Sequence, residues 1–462
     1  MKKTILIIFI ATLCIAGFAQ DKKGAEQFNE TYRPQYHFTP VENRMGSPIS
    51  IITVDSTYHL YYQWNPHNLQ QGFVNWGHAT SHDLLKWEHK EIVLSQPAGV
   101  SDSMTHSPWW GSFSSNGKQL FAWATRWDDG IYRHTAIDAN QLGEGEKTIT
   151  DKNLNQSEPF VFWHKPTEKW VMAAYSRTDS MVNFLNSSDG LKWEITSSFR
   201  LIYGFVSLTE IAANNQPDSS LWLLIAENGN YMVGNFDGKK FENLTSFNKF
   251  DYGEMVGGSL IFKDFKNNRV LLFSELKSEQ QPDLPANGQL TFPTEIILKE
   301  TNTGLELHHK PIEEIKQLYK KSVTIDNKKI YPGINNNPLQ SIKGDCFHMK
   351  GSIDLKNCDM FGIIIRGNRE NEGINLSYNT SRKMLEIEGS RFTYSPKNNK
   401  IDIELLIDRS SVEVFIEGGK YVISTPIIPE PKSLKYNLYS TGGEVFVEHF
   451  EVHELKSAWQ NK

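Results

Sequence analysis

The chain is poor in cysteine, in runs of positive charge and in long apolar stretches, and each shortage excludes a class of protein. Three cysteines in 462 residues are too few for a scaffold built on disulfides, and none sits with histidines at zinc-binding spacing. The net charge is −6 and there is no long basic run, which argues against a nucleic-acid partner. No nucleotide or cofactor motif is present, and no Asp-rich loop reaches the density of a calcium site, so no cofactor or metal is expected. Beyond the N-terminus no segment is long and apolar enough to span a membrane. Helical periodicity is scarce, with residues 312–319 the best candidate.

What is present begins with an export signal over residues 1–19. Lys2 and Lys3 precede an apolar stretch from Ile5 to Ala16, and Gly17-Phe18-Ala19 gives a small-x-small cleavage site. Export to the periplasm or the medium is expected. Lipidation at Cys14 ranks second because the bulky Leu13 precedes it. Cleavage leaves Cys346 and Cys358, for which a disulfide and two buried thiols are both open.

Aromatic residues make up 12% of the chain, enough to fill a large core and still furnish a binding surface. Five apolar strands recur, starting at Tyr58, Gln119, Lys169, Leu221 and Arg269, with spacings of 61, 50, 52 and 48 residues. A second repeat supports the first: the segment from Ser81 to Glu88 aligns without gaps to that from Ser187 to Glu194, and Asp237 to Glu242 is a weaker copy. Units of this length suit four-stranded propeller blades. The expected fold is therefore all-β, a five-bladed propeller over residues 30–320. A large irregular sandwich, the competing reading, offers no reason for the period. Residues 321–340, rich in Lys, Asn, Pro and Gly, are expected to be a linker, and short alternating strands over 341–458 a β-sandwich.

In a propeller the first strand of each blade lines the central channel. Counting back 11 residues from the repeated strands reaches Ser47, Glu158, Glu210 and Gly258, with Ser112 as the nearest counterpart in blade two. Glu158 and Glu210 then share a register and are expected to face one funnel, where two carboxylates are the minimum kit for glycoside hydrolysis. Each alone reads more simply as half of an ion pair. Trp64, Trp76, Trp109 and Trp110 lie on or just after inner segments and offer faces for sugar rings, or else core packing between blades. Gln63, Asn65 and His78 offer hydrogen bonds to hydroxyls. Trp87 and Trp193, inside the internal repeat, read as structural.

These residues resemble glycoside hydrolase family 32, the invertase, inulinase and levanase group, from about Tyr32 to Leu455. The resemblance rests on the segments from Arg33 to Pro40, Tyr61 to Pro66 and Trp76 to Ser81, on Phe236-Asp237-Gly238 and Phe250-Asp251-Tyr252-Gly253, and on Asp408 to Phe415. It implies a five-bladed propeller followed by a sandwich. It also exposes a departure. The family's Trp-Met-Asn-Asp-Pro-Asn-Gly, whose Asp is the nucleophile, is here Arg44-Met45-Gly46-Ser47-Pro48-Ile49-Ser50. Its Arg-Asp-Pro, a transition-state stabiliser, becomes Ser157-Glu158-Pro159, and its Glu-Cys acid/base pair is matched to Glu210-Ile211. A serine hydroxyl is a weak nucleophile without an activating base and offers no charge to an oxocarbenium-like centre. The retaining route is therefore expected to be lost or strongly impaired. Gln63, Trp64, Asn65, Trp76, Trp110 and Ser112 are the expected substrate contacts.

Three functions follow: a protein that binds a fructan-type or related oligosaccharide without efficient cleavage; an active hydrolase of altered mechanism or sugar, using Glu210 and Glu158; and, last, a propeller scaffold for a partner other than carbohydrate.

Overall fold

The computed structural model describes residues 28–459 apart from 71, 73, 96–107, 127–128, 150–156, 215, 217–219, 334–335 and 370–371. The expected signal segment and Cys14 lie outside the described residues. The chain folds into a five-bladed β-propeller followed by a β-sandwich.

Blade one is built on Asn43–Val54, Thr57–Asn65, Asn75–Ser81 and Glu88–Leu94, and blade two on Pro108–Ser115, Leu120–Arg126, Gly130–Ala136 and Leu142–Ile149. Blade three comprises Ser157–His164, Lys169–Ser176, Met181–Ser187 and Glu194–Arg200. Blade four comprises Val206–Ala212, Ser220–Ala226, Asn230–Phe236 and Phe241–Asn243, and blade five Val256–Asp264, Arg269–Leu276, Thr294–Thr301 and Gly304–Pro311. The five repeated apolar segments are the second strands. They are buried on both faces, which explains why they read as continuous apolar runs instead of alternating.

The second repeat is a turn. Asp83 Oδ1 accepts the amides of Leu85 and Lys86 at 3.0 and 2.8 Å. Asp189 does the same for Leu191 and Lys192 at 2.8 and 2.9 Å, and Asp237 for Lys239 and Lys240, both at 2.7 Å. The residue after each Asp has positive φ: Leu84 at 64°, Gly190 at 75°, Gly238 at 89°. The aspartates recur because they cap a left-handed turn, a local backbone role.

Inner strands of neighbouring blades are stitched by serine hydroxyls. Phe113 N–H donates to Ser50 Oγ at 3.1 Å, Val161 N–H to Ser112 Oγ at 2.9 Å, and Ile261 N–H to Ser207 Oγ at 3.3 Å. The ring is closed where Ala286–Asn287 pairs in parallel with Asn43 and Arg44.

The sandwich has a six-stranded sheet, Tyr319–Ile330, Val445–Leu455, Phe347–Asp354, Lys400–Ile407, Ser411–Ile416 and Tyr421–Pro426, against a five-stranded one. Residues 321–340, expected as a linker, are largely part of this domain. Tyr319–Ile330 is an edge strand paired along its length with Val445–Leu455. Its outward lysines gave it a linker's composition, whereas polar residues on the open side of an edge strand are ordinary. The expected helix is a 3-10 segment, Glu313–Leu318. Cys346 and Cys358 are both buried free thiols.

The two domains meet in a buried polar seam. His37 lies between Asp408 (Nδ1 to Oδ2, 2.8 Å) and Glu413 (Nε2 to Oε1, 3.0 Å). Asp408 also accepts the amides of Gln35 at 2.8 Å, Tyr36 at 3.1 Å and Arg409 at 2.7 Å. Glu413 accepts Phe292 N–H at 2.7 Å, and Asp251 accepts the amide and hydroxyl of Ser424 at 3.0 and 2.6 Å. The segments around His37, Asp251 and Asp408 that carried the resemblance are thus the parts that lock propeller to sandwich.

Candidate active site

A cavity of about 510 Å³ opens on the propeller axis where the inner strands begin. Ser47 and Gly46, at the start of blade one's inner strand, form part of its wall. Ser47 is held from two sides: its amide donates to Gln63 Oε1 at 3.3 Å and its Oγ to Glu275 Oε2 at 2.7 Å. Gln63 in turn donates to the carbonyl of Trp109 at 2.7 Å. Trp64, Trp109 and Trp110 supply the apolar lining, and Trp110 is backed by Phe205 in a stack with ring centres 5.0 Å apart.

The charged groups come from the ends of second strands. Glu275 lies on Arg269–Leu276, Glu227 follows Ser220–Ala226, and Arg177 follows Lys169–Ser176; all three line the cavity. Arg177 bridges two carboxylates, with Nε donating to Glu158 Oε1 at 2.5 Å and Nη2 to Glu227 Oε1 at 2.7 Å. Arg44 and Lys277 complete the charged wall.

Burial shapes the acidities. Glu158 is fully buried, and loss of solvent pushes its carboxyl up to about 8 although Arg177 opposes the change. Its Oε2 has no hydrogen-bond partner among the described residues. Glu275 is 6% exposed, and burial raises its pKa against the opposing pull of Ser47, Lys277 and Arg44, with Glu227 pushing the same way as burial. Glu275 in the cavity wall and Glu158 behind Arg177 both have raised pKa, a pattern found where proton transfer is performed.

The expected site residues divide. Ser47, Gln63, Trp64, Asn65 and Trp110 line the cavity, and Glu158 stands behind Arg177. Asn65 spends its amide on the following loop, donating to Asn68 and Gln70 at 3.2 and 3.0 Å. Three expectations need correction. Trp76 is fully buried between blades one and two with its indole N–H on Pro108 O at 2.7 Å, so it is core. Ser112 is a stitch between inner strands. Glu210 is exposed, bonds Ser220, and lines a different cavity with Lys263, Arg269 and Glu295. His78, also considered for hydroxyls, sits against His59 at 3.0 Å inside blade one, and burial lowers its pKa to about 3.

The error at Glu210 has a definite cause. Glu158 pairs with Tyr175 near the far end of its neighbour strand, whereas Glu210 pairs with Trp222 near the start of its own. Blade four's first strand ends at Ala212 and its second begins at Ser220, with more residues between them than the four that separate blade three's strands at His164 and Lys169. The same backward count therefore stops short of the channel, where Gly204 and Phe205 stand. Counting forward to the far ends of the repeated strands would have found Gln63, Arg177, Glu227 and Glu275.

Among known proteins, the model of the glycosyl hydrolases family 32 N-terminal domain matches residues 37–311, and that of the glycosyl hydrolases family 32 C terminal matches residues 314–454. A levanase of Bacillus subtilis (strain 168) is 27% identical, the match covering 99% of this chain and 76% of that protein. An extracellular exo-inulinase of Aspergillus niger is 23% identical over 97% of this chain and 98% of its own. The crystal structure of an exo-inulinase from Aspergillus awamori superposes with a TM-score of 0.82 at 22% identity, covering 94% of this chain and all of that one.

Proposed function

The chain belongs to glycosyl hydrolases family 32, and from that premise we propose that its propeller cavity binds a fructan-type or related oligosaccharide while the family's covalent retaining route is closed. The observation that carries this reading is the Ser47–Glu275 hydrogen bond at 2.7 Å. At the position matched to the family nucleophile stands a hydroxyl tied to a carboxylate from another blade, with no carboxylate of its own. The wall around it remains suited to a sugar. A cavity of about 510 Å³ lies within the range of small-ligand sites, and its mixture of indole faces with a few fixed polar groups is the usual composition of such sites. In this reading Trp64, Trp110 and Gln63 contact the sugar. Glu158, at the transition-state stabiliser position, acts through Arg177, because its own carboxylate is buried. Export follows from the N-terminal signal and agrees with the extracellular exo-inulinase that the chain resembles.

The test is calorimetric titration with sucrose, inulin, levan and a panel of other plant and microbial glycans, with mass spectrometry of the protein after incubation. Saturable binding with no covalent glycosyl adduct is expected. An adduct on Ser47, or failure to bind any of the glycans, would overturn the reading.

A further inference from the structure

The inner strands of blades four and five carry glycine where their side chains would enter the cavity, and the space is filled from the next strand. Gly204 precedes the inner strand of blade four with φ +81°, and a Cβ there would fall far inside van der Waals contact with Glu227 Oε2. Gly257, on the inner strand of blade five, would drive a Cβ into Glu275 Oε2 in the same way. Gly258 leaves room for Ser47 Oγ. Any other residue at 204 or 257 would displace a carboxylate from the cavity wall. Backbone and side chain are thus matched at two separate blades to bring Glu227 and Glu275 to one place.

We propose that Glu275 and Glu227 are the acid and base of a hydrolysis that proceeds with inversion at the anomeric carbon. This rests on the reading that the cavity takes a glycan. Glu275, buried against Ser47 and sharing the cavity wall with Glu227, whose charge bears on it, holds the proton. Its Oε2 accepts the Ser47 hydroxyl, leaving Oε1 to donate to the glycosidic oxygen. Glu227 is anchored as a carboxylate by Arg177 and accepts a proton from the attacking water. The bond between the anomeric carbon and the leaving oxygen breaks as the water oxygen bonds to that carbon. One proton passes from Glu275 to the leaving sugar and one from water to Glu227, and exchange with solvent restores both. Inversion follows because a hydroxyl, Ser47, stands where a carboxylate nucleophile would, so the entering group is water. Arg44 and Lys277, whose charges bear on Glu275, stabilise the carboxylate it becomes.

The experiment uses the whole exported chain at high concentration on the same glycans, followed by the anomeric form of the first product, with binding measured in parallel. Glu275→Gln and Glu227→Gln should each lower kcat at least about 100-fold, the usual worth of a positioned acid or base, with binding retained. Glu210→Gln should leave turnover unchanged. A nitrophenyl glycoside of the sugar that is bound separates the roles, since its leaving group needs no proton. Glu275→Gln should recover most activity on it and Glu227→Gln should not, a split that general structural damage would not give. Should Glu275→Gln fail to fold, Glu227→Gln, at a partly exposed site, and the stereochemistry decide. Product retention, or loss of turnover in Glu210→Gln with both other variants active, would overturn the inference. Binding by the wild type without hydrolysis of any glycan would overturn it too, while leaving the binding reading intact. No binding at all would remove both.

Discussion

The seam between the domains and the cavity on the propeller axis both bury acidic side chains, and Asp408 in the seam is treated in the opposite way to the acids at the cavity, whereas Asp251 in the seam is raised by burial to about 6. At the seam Asp408 is surrounded by donors: His37 and the amides of Gln35, Tyr36 and Arg409. Those bonds hold its pKa below the usual carboxylate value despite complete burial. His37, between two carboxylates, is raised to about 9. In the cavity, burial outweighs the partners. Glu158 keeps an oxygen without a hydrogen-bond partner among the described residues and rises to about 8, and Glu275 is raised as well. Asp408, with a charged partner and several amides, contributes to holding the fold as a carboxylate; a buried acid for which burial outweighs its partners is available to exchange protons.

The largest stability effect should come from breaking the seam. Asp408→Ala removes one partner of a buried pair and strands His37 and several amides, at a cost of about 3–5 kcal/mol, read as a lowered denaturation midpoint. Glu158→Gln should sharpen the contrast by doing little harm, because Arg177 keeps Glu227 and is 42% exposed on its side chain. If Glu158→Gln costs as much as Asp408→Ala, the distinction between the two regions fails.

Dependence on pH follows with a definite sign. His37, raised above its unfolded value of about 6.5, contributes stability that is fully present below that value and is lost as pH rises through about 9. Asp408, lowered, contributes stability above about 3.9 that is lost as pH falls through its folded value. Glu158, raised by burial, is tolerated when protonated and opposes folding increasingly as pH rises from its unfolded value of about 4.3 to about 8, with no further loss above that. Unfolding midpoints should therefore fall between pH 6.5 and 9 (the window set by these groups), and fall less in Glu158→Gln. An equal slope in the variant would show that Glu158 does not titrate in that window.

The smallest effect is expected at Ser112→Ala. Loss of one neutral hydrogen bond between inner strands should cost about 1 kcal/mol with glycan affinity unchanged. Reduced affinity at constant stability would instead return Ser112 to the cavity.

Much of this was legible in the chain. The 48- to 61-residue spacing of second strands gave the five blades, because a strand buried on both faces must be continuously apolar wherever it recurs. Two of the turn aspartates were visible in a gapless repeat and the third in a weaker copy, and Ser47 was visible as the residue that the resemblance matches to the nucleophile. The polar seam was present too, as motifs around His37 and Asp408, although their partnership links residues over 370 positions apart and has no local signature.

Tertiary structure alone decided which acids share the cavity. Glu210 and Glu158 have equal sequence offsets, yet Glu210 pairs near the start of its neighbour strand and Glu158 near the far end of its own, so Glu210 lines a different cavity. Glu227 and Glu275 look like ordinary strand-end residues until Gly204 and Gly257, remote from them in sequence, are seen to vacate the space they occupy. Strand periodicity fixes which face a side chain takes, a property of a few neighbouring residues. The depth at which it meets the axis depends on turn length and on the neighbouring strand, and those meet only when the blades close into a ring.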